Sequence, residues 1–378
     1  AAIVDQTEKR KPGYIIVGNV LQTLQDLASY HRKTLSIPVL AITGTNGKTT
    51  TKELIHAVLS KKFNVLATRG NFNNHIGVPL TLLGLKDEEM AVVEMGANHI
   101  GEIHELCTIA DPDYGIITNI GFAHLEGFGS PEGVLQAKTE LYRYLNQKKG
   151  TIFINGMNDL LTTSAESLNL RKVWYTDGKT PLVDGYIDEK SVLLKMMISF
   201  TGSAKYHVET KLTGNYNMEN ILAAACIGKY FGVPETEIIS AIESYAPSNN
   251  RSQYLETDGN HLIIDAYNAN PTSMNGAVKN FLGINAPSRM LILGDMLELG
   301  RYTEKEHLKI IEMLNEHPGI EVILVGPEFE KAAQNTGYLS FYVVEELFEH
   351  LRMNPVKDHL ILLKGSRGIH LEKLIDVL

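Results

Sequence analysis

The sequence predicts an α/β protein, with a mainly parallel sheet in its large first part and a second, smaller α/β domain after it. Three observations predict this fold. From residue 36 to about 245, apolar runs of strand length alternate with helical patterns. A glycine-rich turn at residues 43–50 joins the first of these strands to a helix. The alternation stops at Pro247-Ser-Asn-Asn250, which has the composition of a linker, and then restarts.

The first part contains most of the expected elements. Residues 1–35 carry only one strand-like run and one helix, which Asn19 is expected to cap, and this is too little to bury a core. The segment from roughly 150 to 212 is richer in short strands and turns than the rest. The expected strands are 14–17, 38–42, 90–94, 114–119, 150–154, 172–175 and 206–209, and the expected helices are 19–31, 52–59 and 217–231.

The second part repeats the alternation on a smaller scale and is expected to be Rossmann-like. Its expected strands are 261–264, 289–293, 321–325 and 360–363, and its expected helices are 272–282, 304–316 and a last one at the end of the chain. The sequence therefore predicts three segments, namely 1–35, a central domain at 36–246 and a C-terminal domain at 247–378.

Composition excludes several classes of protein. A net charge of −9 provides no basic surface for nucleic acid. No apolar run approaches the ~18 residues of a membrane span, and the start of the chain lacks the apolar region of a signal peptide. The two cysteines, Cys107 and Cys226, lie in apolar helical contexts and are expected to be buried thiols. A reducing, cytoplasmic location is therefore expected.

The most informative segment is Thr43-Gly-Thr-Asn-Gly-Lys-Thr-Thr50. A glycine-rich turn between a strand and a helix directs backbone N–H groups into one concavity, where the helix N-terminus adds partial positive charge. Such a turn binds phosphate, with Lys48 neutralising outer oxygens and Thr49 able to ligate Mg²⁺. It is a shortened phosphate loop, because Ile42 stands where the common pattern has its first glycine.

Two polar side chains follow neighbouring expected strands. Glu94 ends the strand at 90–94, and a carboxylate at the carboxyl end of a parallel strand faces the crevice where ligands bind. Beside a phosphate loop it is suited to hold Mg²⁺, although a solvated turn residue is the alternative. His124 follows the next strand, either as a metal ligand or polar group near phosphate or as a structural histidine.

Lys138 is unusual because it lies on an apolar helix face with Val134, Leu141 and Leu145. One explanation is that its aliphatic chain follows the apolar stripe out to water. The other is that the lysine points inward, where loss of water lowers its pKa and leaves a reactive amine. Such an amine can take up CO₂ as a carbamate, which is an oxygen ligand for Mg²⁺.

Further polar turns complete the set of candidate sites. Asn217 and Asn220 lie three residues apart at a helix start, where Asn217 either caps the helix or contacts a ligand. In the second part, three polar, glycine-containing turns each follow a strand, at 265–271, 294–300 and 364–368. Three such turns at three strand ends predict one crevice wall and favour a binding site.

Taken together, several strings resemble those of the Mur ligase superfamily, ATP-dependent amide-bond ligases of peptidoglycan precursor synthesis. The resemblance runs from about residue 14 to the end and is specific, since many long strings match in order. The strings are the phosphate loop, Gly70-Asn-Phe-Asn-Asn-His-Ile-Gly-Val-Pro79, Glu94-Met-Gly-Ala-Asn-His-Ile-Gly-Glu102, Thr118-Asn-Ile-Gly-Phe-Ala-His-Leu-Glu-Gly-Phe-Gly129, Asp265-Ala-Tyr-Asn-Ala-Asn-Pro271, Gly294-Asp-Met-Leu-Glu-Leu-Gly300 and Lys364-Gly-Ser-Arg367.

The resemblance implies a role for individual residues. Lys48, His124 and Lys138 would be catalytic. The ATP site would comprise Gly44, Thr45, Asn46, Gly47, Lys48, Thr49, Thr50, Asn217, Arg251 and Asp265. Mg²⁺, expected as two ions, would be held by Thr49, Glu94, His124 and Lys138, the last as a carbamate formed with CO₂. Asn71, Asn73 and Asn74 would contact the muramoyl peptide, and Asn268, Asn270, Lys364, Ser366 and Arg367 the incoming dipeptide.

The implied reaction joins D-alanyl-D-alanine to a UDP-N-acetylmuramoyl-tripeptide through an acyl phosphate, in a monomer. The family also has an N-terminal domain that grips the UDP end of the substrate, and residues 1–35 resemble only its last strand and helix. Two alternatives remain. One is another ligase of the superfamily, folylpolyglutamate synthetase, and the other is a non-catalytic nucleotide-binding module.

Overall fold

In a computed structural model, the described residues are 2–6, 11–122, 125–176, 180–189 and 191–378. The strands are β1 (Ala2–Val4), β2 (Tyr14–Ile16), β3 (Val39–Thr43), β4 (Val65–Ala67), β5 (Met90–Glu94), β6 (Tyr114–Ile117), β7 (Thr151–Asn155), β8 (Arg171–Tyr175), β9 (Val183–Glu189), β10 (Leu193–Phe200), β11 (Lys205–Thr213), β12 (Gln253–Glu256), β13 (His261–Asp265), β14 (Arg289–Gly294), β15 (Glu321–Val325), β16 (Leu339–Phe341) and β17 (Leu360–Lys364).

The helices vary from one turn to four turns in length. They are α1 (Val20–Leu35), α2 (Lys48–Leu59), α3 (Gly77–Leu83), α4 (Glu102–Ala110), α5 (Leu125–Phe128), α6 (Pro131–Lys138), α7 (Glu140–Lys148), α8 (Asp159–Glu166), α9 (Asn217–Tyr230), α10 (Glu235–Ser244), α11 (Pro271–Leu282), α12 (Thr303–Asn315), α13 (Pro327–Ala332) and α14 (Val344–Met353). The described part of the chain also contains 3₁₀ segments at Gly300–Tyr302, Arg367–Ile369 and Leu371–Val377.

The chain divides into two compact units, neither of which is continuous in sequence. The first comprises Ala1–Ile120, Leu135–Leu182 and Ala223–Pro234, and the second comprises Gly121–Val134, Val183–Leu222 and Glu235–Leu378. The division of the chain at residues 35 and 246 that the sequence suggests stays a prediction.

The first unit is built on six parallel strands in the order β8-β7-β6-β3-β5-β4. Every residue of β3, β5 and β7 is buried, as expected for strands that helices cover on both faces. Because all six strands run in one direction, their carboxyl ends meet at one edge. The order places β3, which leads into the phosphate loop, between β5 and β6, so the loop and Glu94 lie at that edge.

The second unit contains a three-stranded antiparallel section and a separate six-stranded sheet. Strands β9, β10 and β11 pair antiparallel, and β10 and β11 show the alternating burial of a sheet that is covered on one face. The other sheet has the order β12-β13-β17-β14-β15-β16, in which β12 is antiparallel and the remaining strands are parallel. The turns after β13, β17 and β14 therefore lie side by side, because these three strands are neighbours.

The predicted fold class is confirmed, and the local differences have physical causes. The pair β9–β10 was not predicted, because β9 is mostly half-buried or exposed and lacks the alternating burial that β10 shows. The expected last helix consists of 3₁₀ segments, the first of which ends at His370 with a left-handed φ of 58°. The face expected on one helix around Lys138 is divided between α6 and α7, although Lys138 and Leu141 are both buried.

The environment of the two cysteines agrees with the expectation from composition. Both cysteines are buried free thiols, as predicted, and burial raises the pKa of each thiol well above its usual range. Among the described residues, no helix is both long enough and apolar enough to cross a membrane.

Candidate active site

The loop between β3 and α2 has the backbone geometry that the sequence predicted. Gly44 and Gly47 adopt φ values of 140° and 77°, which side chains disfavour. A Cβ atom on Gly44 would lie 2.0 Å from the Thr118 hydroxyl, so only glycine allows β6 to approach the loop this closely. The helix begins at Lys48 immediately after the loop, with its N-terminal N–H groups at the loop's concave side.

Asn119 at the end of β6 fixes the first half of this loop. The backbone N–H of Thr45 donates to the Asn119 carbonyl at 2.9 Å, and that of Asn46 donates to the Asn119 side chain at 2.9 Å. The hydroxyl of Thr118 donates to the Asn46 carbonyl at 2.6 Å. Two of the N–H groups predicted to face phosphate are thus bonded to Asn119, which leaves the phosphate role mainly to the turn at Gly47 and the start of α2.

Lys48 folds over the loop that precedes it. Its Nζ donates to the carbonyls of Gly44 at 2.8 Å and Thr45 at 3.0 Å, which places a positive charge at the mouth of the loop. Thr49 and Thr50 follow in the first helical turn and are half-buried and buried, respectively. A cation and a helix N-terminus at the same place form a site for an anion with several oxygens.

Glu94 ends β5 and is only 1% exposed. Its Oε1 accepts a hydrogen bond of 2.8 Å from the Asn73 side chain, and its backbone N–H donates to the Thr68 hydroxyl at 3.0 Å. Its Oε2 is buried without a hydrogen-bond partner among the described residues. Because an unsatisfied buried carboxylate oxygen is costly, and because Mg²⁺ prefers such oxygens, this side chain suits a metal site.

The three asparagines predicted to contact substrate lie in different environments. Asn71 is exposed in the turn before α3. Asn73 is bonded to Glu94, and its carbonyl accepts from the backbone N–H of Gly96 at 2.7 Å. The side chain of Asn74 accepts from the backbone N–H groups of Ile76 and Gly77, so it holds the turn that starts α3.

Lys138 lies inward and is 2% exposed, so its side chain does not follow the apolar stripe out to water. Its Nζ donates to the carbonyl of Ala97 at 3.3 Å, a residue just beyond β5. Burial is the main cause that lowers its pKa to about 7, and the charge of Lys48 lowers it further, while Glu102 and Glu140 oppose the shift. A substantial fraction of Lys138 is therefore a neutral amine near pH 7, as carbamate formation requires.

The remaining predicted metal ligand, His124, lies outside the described residues. Within the described ranges, no group of three or more histidine, cysteine, aspartate and glutamate side chains has metal-site geometry. The predicted set is not of that kind, because it combines one carboxylate with a threonine hydroxyl, a histidine and a modified lysine.

In the second unit, Asp265 and Lys364 form an ion pair at the ends of the adjacent strands β13 and β17. Lys364 Nζ donates to Asp265 Oδ2 at 2.7 Å and to the Asn268 carbonyl at 3.3 Å, and the lysine side chain is 1% exposed. The hydroxyl of Tyr216 lies 3.4 Å from the same carboxylate oxygen. Tyr216 is 37% exposed, and its hydroxyl is the donor to this carboxylate oxygen.

Ser366 joins the other two turns. Its hydroxyl accepts from the backbone N–H of Leu297 at 2.9 Å and donates to the Ala269 carbonyl at 3.3 Å, and its N–H donates to the carbonyl of Asp295. The three polar turns predicted to form one wall are thus hydrogen-bonded to one another. Asn270 caps α11 in a reciprocal capping box with Ser273.

The guanidinium groups of two arginines lie near the aromatic ring of Tyr267. The central carbon of Arg251 lies 3.4 Å from the centre of the Tyr267 ring, and that of Arg367 lies 5.4 Å from it. The Nε atom of Arg251 is buried without a hydrogen-bond partner among the described residues. Two cations beside one ring suit an anionic ligand. The predicted Asn268 is exposed nearby and uses its side-chain oxygen to accept from the N–H of Ala269.

Asn217 is the first residue of α9 and is 1% exposed. Its side chain donates to the Thr213 carbonyl at 2.7 Å and accepts from the Asn220 side chain at 2.8 Å. These bonds hold the turn before the helix, and neither is the side-chain-to-backbone bond of an N-cap.

Sequence reasoning missed three residues that shape these sites. Lys52 is fully buried on α2, Glu140 caps α4 by accepting from the N–H groups of Gly101 and His104, and Tyr267 lies between two arginines. Lys52 and Glu140 are charged residues within helical patterns that have an apolar face, and this pattern is the signal by which the sequence could have indicated them.

Comparison with protein families gives two matches that together cover most of the chain. The model of the Mur ligase middle domain matches residues 42–228, and that of the Mur ligase glutamate ligase domain matches residues 250–367. The chain belongs to the Mur ligase family. This confirms the predicted superfamily.

Known relatives narrow the class further. A protein of Bacillus subtilis named UDP-N-acetylmuramoyl-tripeptide–D-alanyl-D-alanine ligase is 34% identical over 376 residues, which are 96% of this chain and 80% of the relative. A crystal structure of MurF from Acinetobacter baumannii has a TM-score of 0.88 at 31% identity, covering 99% of this chain and 83% of that one. MurF from Thermotoga maritima in complex with ADP has a TM-score of 0.87 at 25% identity, covering 99% and 87%. The prediction of a ligase of the MurF type is confirmed.

Proposed function

We propose that this chain is an ATP-dependent, ADP-forming ligase that joins D-alanyl-D-alanine to a UDP-N-acetylmuramoyl-tripeptide. The observation that carries the proposal is the edge of the parallel sheet in the first unit. There the phosphate loop follows β3, and Glu94, which has one unsatisfied carboxylate oxygen, ends β5. The buried amine of Lys138 donates to the carbonyl of Ala97, just beyond β5. The ADP complex of the Thermotoga maritima relative supports ATP as the nucleotide.

The reaction requires an activated carboxylate, because a carboxylate is a poor acyl donor at neutral pH. The terminal carboxylate of the tripeptide attacks the γ-phosphorus of ATP, which breaks the bond to the bridging oxygen and yields an acyl phosphate and ADP. The amine of the dipeptide then attacks the acyl carbon, loses a proton, and phosphate departs. Lys48 and the N-terminus of α2 spread the charge of the transferring phosphoryl group.

The residues of the first unit also fit a divalent cation. Glu94 and Thr49, with His124 and a carbamate on Lys138, would hold Mg²⁺, expected as two ions. Mg²⁺ supplies charge neutralisation between the phosphate and the substrate carboxylate, which otherwise repel one another. Lys138 contributes to this set because its lowered pKa leaves part of the amine neutral at pH 7, the form that reacts with CO₂.

The remaining residue assignments are also proposals. Asn71, Asn73 and Asn74 would serve the muramoyl peptide, and Asn217, Arg251 and Asp265 the nucleotide, with Thr45, Asn46 and Thr50 lining its phosphate loop. Asn268, Asn270, Lys364, Ser366 and Arg367 would serve the dipeptide. We propose that residues 36–246 form the ATP-binding domain and 247–378 a C-terminal domain, and that the enzyme acts as a cytoplasmic monomer.

The decisive experiment measures ADP release with paired substrates. UDP-N-acetylmuramoyl-tripeptide plus D-alanyl-D-alanine should give ADP and a product heavier by the dipeptide less water. Folate plus glutamate tests the competing folylpolyglutamate synthetase and should give no ADP. If nucleotide binds but neither pair is joined, the chain is a nucleotide-binding module and the proposal is wrong.

A further inference from the structure

Lys52 is a charged side chain that neither the sequence motifs nor the proposed reaction uses. It lies one turn after Lys48 on α2 and is fully buried. Its Nζ donates to the Thr68 carbonyl at 2.5 Å and pairs with Glu53 Oε1 at 2.8 Å. Burying an ammonium group is costly, and the ion pair and hydrogen bond only offset that cost, so a lysine here needs a reason beyond packing.

The reason lies in what Thr68 does. Thr68 follows β4 and is bonded to β5 at two points, since its N–H donates to the Val92 carbonyl at 3.0 Å and its hydroxyl accepts from the Glu94 N–H at 3.0 Å. Its carbonyl is the acceptor for Lys52. Thr68 is therefore the link between the phosphate-loop helix and the backbone of Glu94.

We propose that Lys52 is a positioning residue that sets the placement of Glu94 relative to Thr49. Thr49 lies at the start of α2, and Lys52, one turn further along the helix, donates to the carbonyl of Thr68. The Thr68 hydroxyl in turn accepts from the backbone N–H of Glu94, whose carboxylate has an unsatisfied oxygen. A cation shared by Thr49 and Glu94 needs these two groups at a fixed separation. This inference rests on the proposed function, because it concerns the same metal site.

The inference is tested with Lys52→Met, which keeps the length of the side chain and removes the donor. Nucleotide binding is measured calorimetrically with ADP over a series of Mg²⁺ concentrations, and the free energy of unfolding is measured without Mg²⁺. Residues that orient metal ligands typically alter metal affinity by about 10–100-fold. The Mg²⁺ concentration for half-maximal enhancement of ADP binding should therefore rise at least about tenfold, with ADP affinity at saturating Mg²⁺ changing much less.

Two further variants make the result specific. Thr68→Val removes the hydroxyl that accepts from Glu94 while preserving shape, and it should raise the Mg²⁺ requirement in the same direction even if Lys52→Met does not fold. Lys62→Met is the control, because Lys62 also donates to two carbonyls, those of Phe231 and Gly232, but takes no part in the link to Glu94. It should leave the Mg²⁺ requirement unchanged.

The outcomes separate the two proposals. Suppose that ADP binding by the wild-type protein depends on Mg²⁺. If the Thr68→Val variant and a folded Lys52→Met variant then keep the wild-type Mg²⁺ requirement, Lys52 only stabilises the fold and the inference is overturned. If the wild-type protein shows no Mg²⁺ dependence of nucleotide binding, the proposed metal site itself is wrong and the inference falls with it.

Discussion

Asn73 donates a hydrogen bond of 2.8 Å from its side-chain amide to one oxygen of Glu94, and the other oxygen of that buried carboxylate has no partner among the described residues. The bond fixes the rotation of the carboxylate, because one oxygen must face Asn73. The second oxygen is thereby given a fixed direction as well. A carboxylate held in this way is prepared for a cation and is costly without one.

Glu94→Gln should remove most of the effect of Mg²⁺ on nucleotide binding while preserving the fold. The amide has nearly the same shape as the carboxylate but carries no charge, so loss of a buried, half-paired charge should leave stability without Mg²⁺ unchanged or higher by about 1 kcal/mol. ADP release should fall by at least about tenfold. Glu89→Gln is the control, since Glu89 is an exposed carboxylate that accepts from the Asn64 N–H. Equal Mg²⁺ dependence in both variants would contradict a metal role for Glu94.

Lys48→Ala should lower the rate of ADP release to about 1% of the wild-type rate or less, because charge stabilisation of this kind is worth about 10²–10³-fold in kcat. The fold should persist, since Lys48 is half-buried and its Nζ donates to two carbonyls of the loop that precedes it. A matched control is Lys86→Ala, which removes an exposed lysine. Substantial residual turnover in Lys48→Ala, measured by coupled ADP detection, would reject the phosphate role of the loop.

The fold and the location of the site could be predicted because both depend on local patterns. Apolar runs and glycine turns determine where strands end, and parallel strands end at one edge, so the phosphate loop and Glu94 could be placed at the same edge from sequence. The strand positions were predicted to within about two residues at β3, β5, β13 and β15, because each of these strands contains an uninterrupted apolar run.

Other features depend on partners that are distant in sequence and could not be predicted. The bond between Asn73 and Glu94 joins residues 21 positions apart, and that between Lys364 and Asp265 joins residues 99 apart. Sequence spacing cannot show that Asn119 occupies the N–H groups of Thr45 and Asn46, because that depends on the pairing of β3 with β6.

Gly44→Ala should destabilise the protein and disrupt the phosphate loop. At a φ of 140°, a side chain is strained, and the added Cβ would lie 2.0 Å from the Thr118 hydroxyl and 3.0 Å from the Thr118 backbone nitrogen. Strain at such a position costs about 1–3 kcal/mol. Denaturant unfolding should show this loss, together with weaker ADP binding.

Two variants separate the causes of the Gly44→Ala effect. Adding Thr118→Ala removes the clash with the hydroxyl but leaves the contact with the backbone, so it should recover only part of the loss. Gly18→Ala is the control, because a Cβ there meets no atom within 4 Å and the backbone is not left-handed. Wild-type stability and ADP binding in Gly44→Ala would show that the close approach of β6 is not required.

Lys138→Ala should lose activity and regain part of it when a short carboxylic acid such as formate or acetate is added. The acid would occupy the space of the missing side chain and supply the oxygens that a carbamate supplies. Wild-type activity should also fall in CO₂-depleted buffer and return with bicarbonate. Unchanged activity of Lys138→Ala without added acid would mean that Lys138 serves only in packing. Lys149→Ala, which replaces an exposed lysine, is the control.

The pH dependence of stability offers an independent test of Lys138. Its pKa is lowered from 10.5 to about 7 in the folded protein, mainly by burial. Between these values the unfolded chain binds more protons than the folded one, so this group makes the protein more stable as pH rises. Its cost to stability is fully present below about pH 7 and disappears as the pH approaches 10.5.

Lys138→Met should therefore gain the most over the wild-type protein at low pH. The difference in unfolding free energy between the two proteins, measured in CO₂-depleted buffer at about pH 6, 8 and 9.5, should shrink as pH rises. Changes in packing alone would shift the difference equally at every pH, and Lys86→Met, an exposed substitution, should show no such trend. A difference that is independent of pH would mean that Lys138 is not a buried amine of lowered pKa, and the route to a carbamate near neutral pH would lose its physical basis.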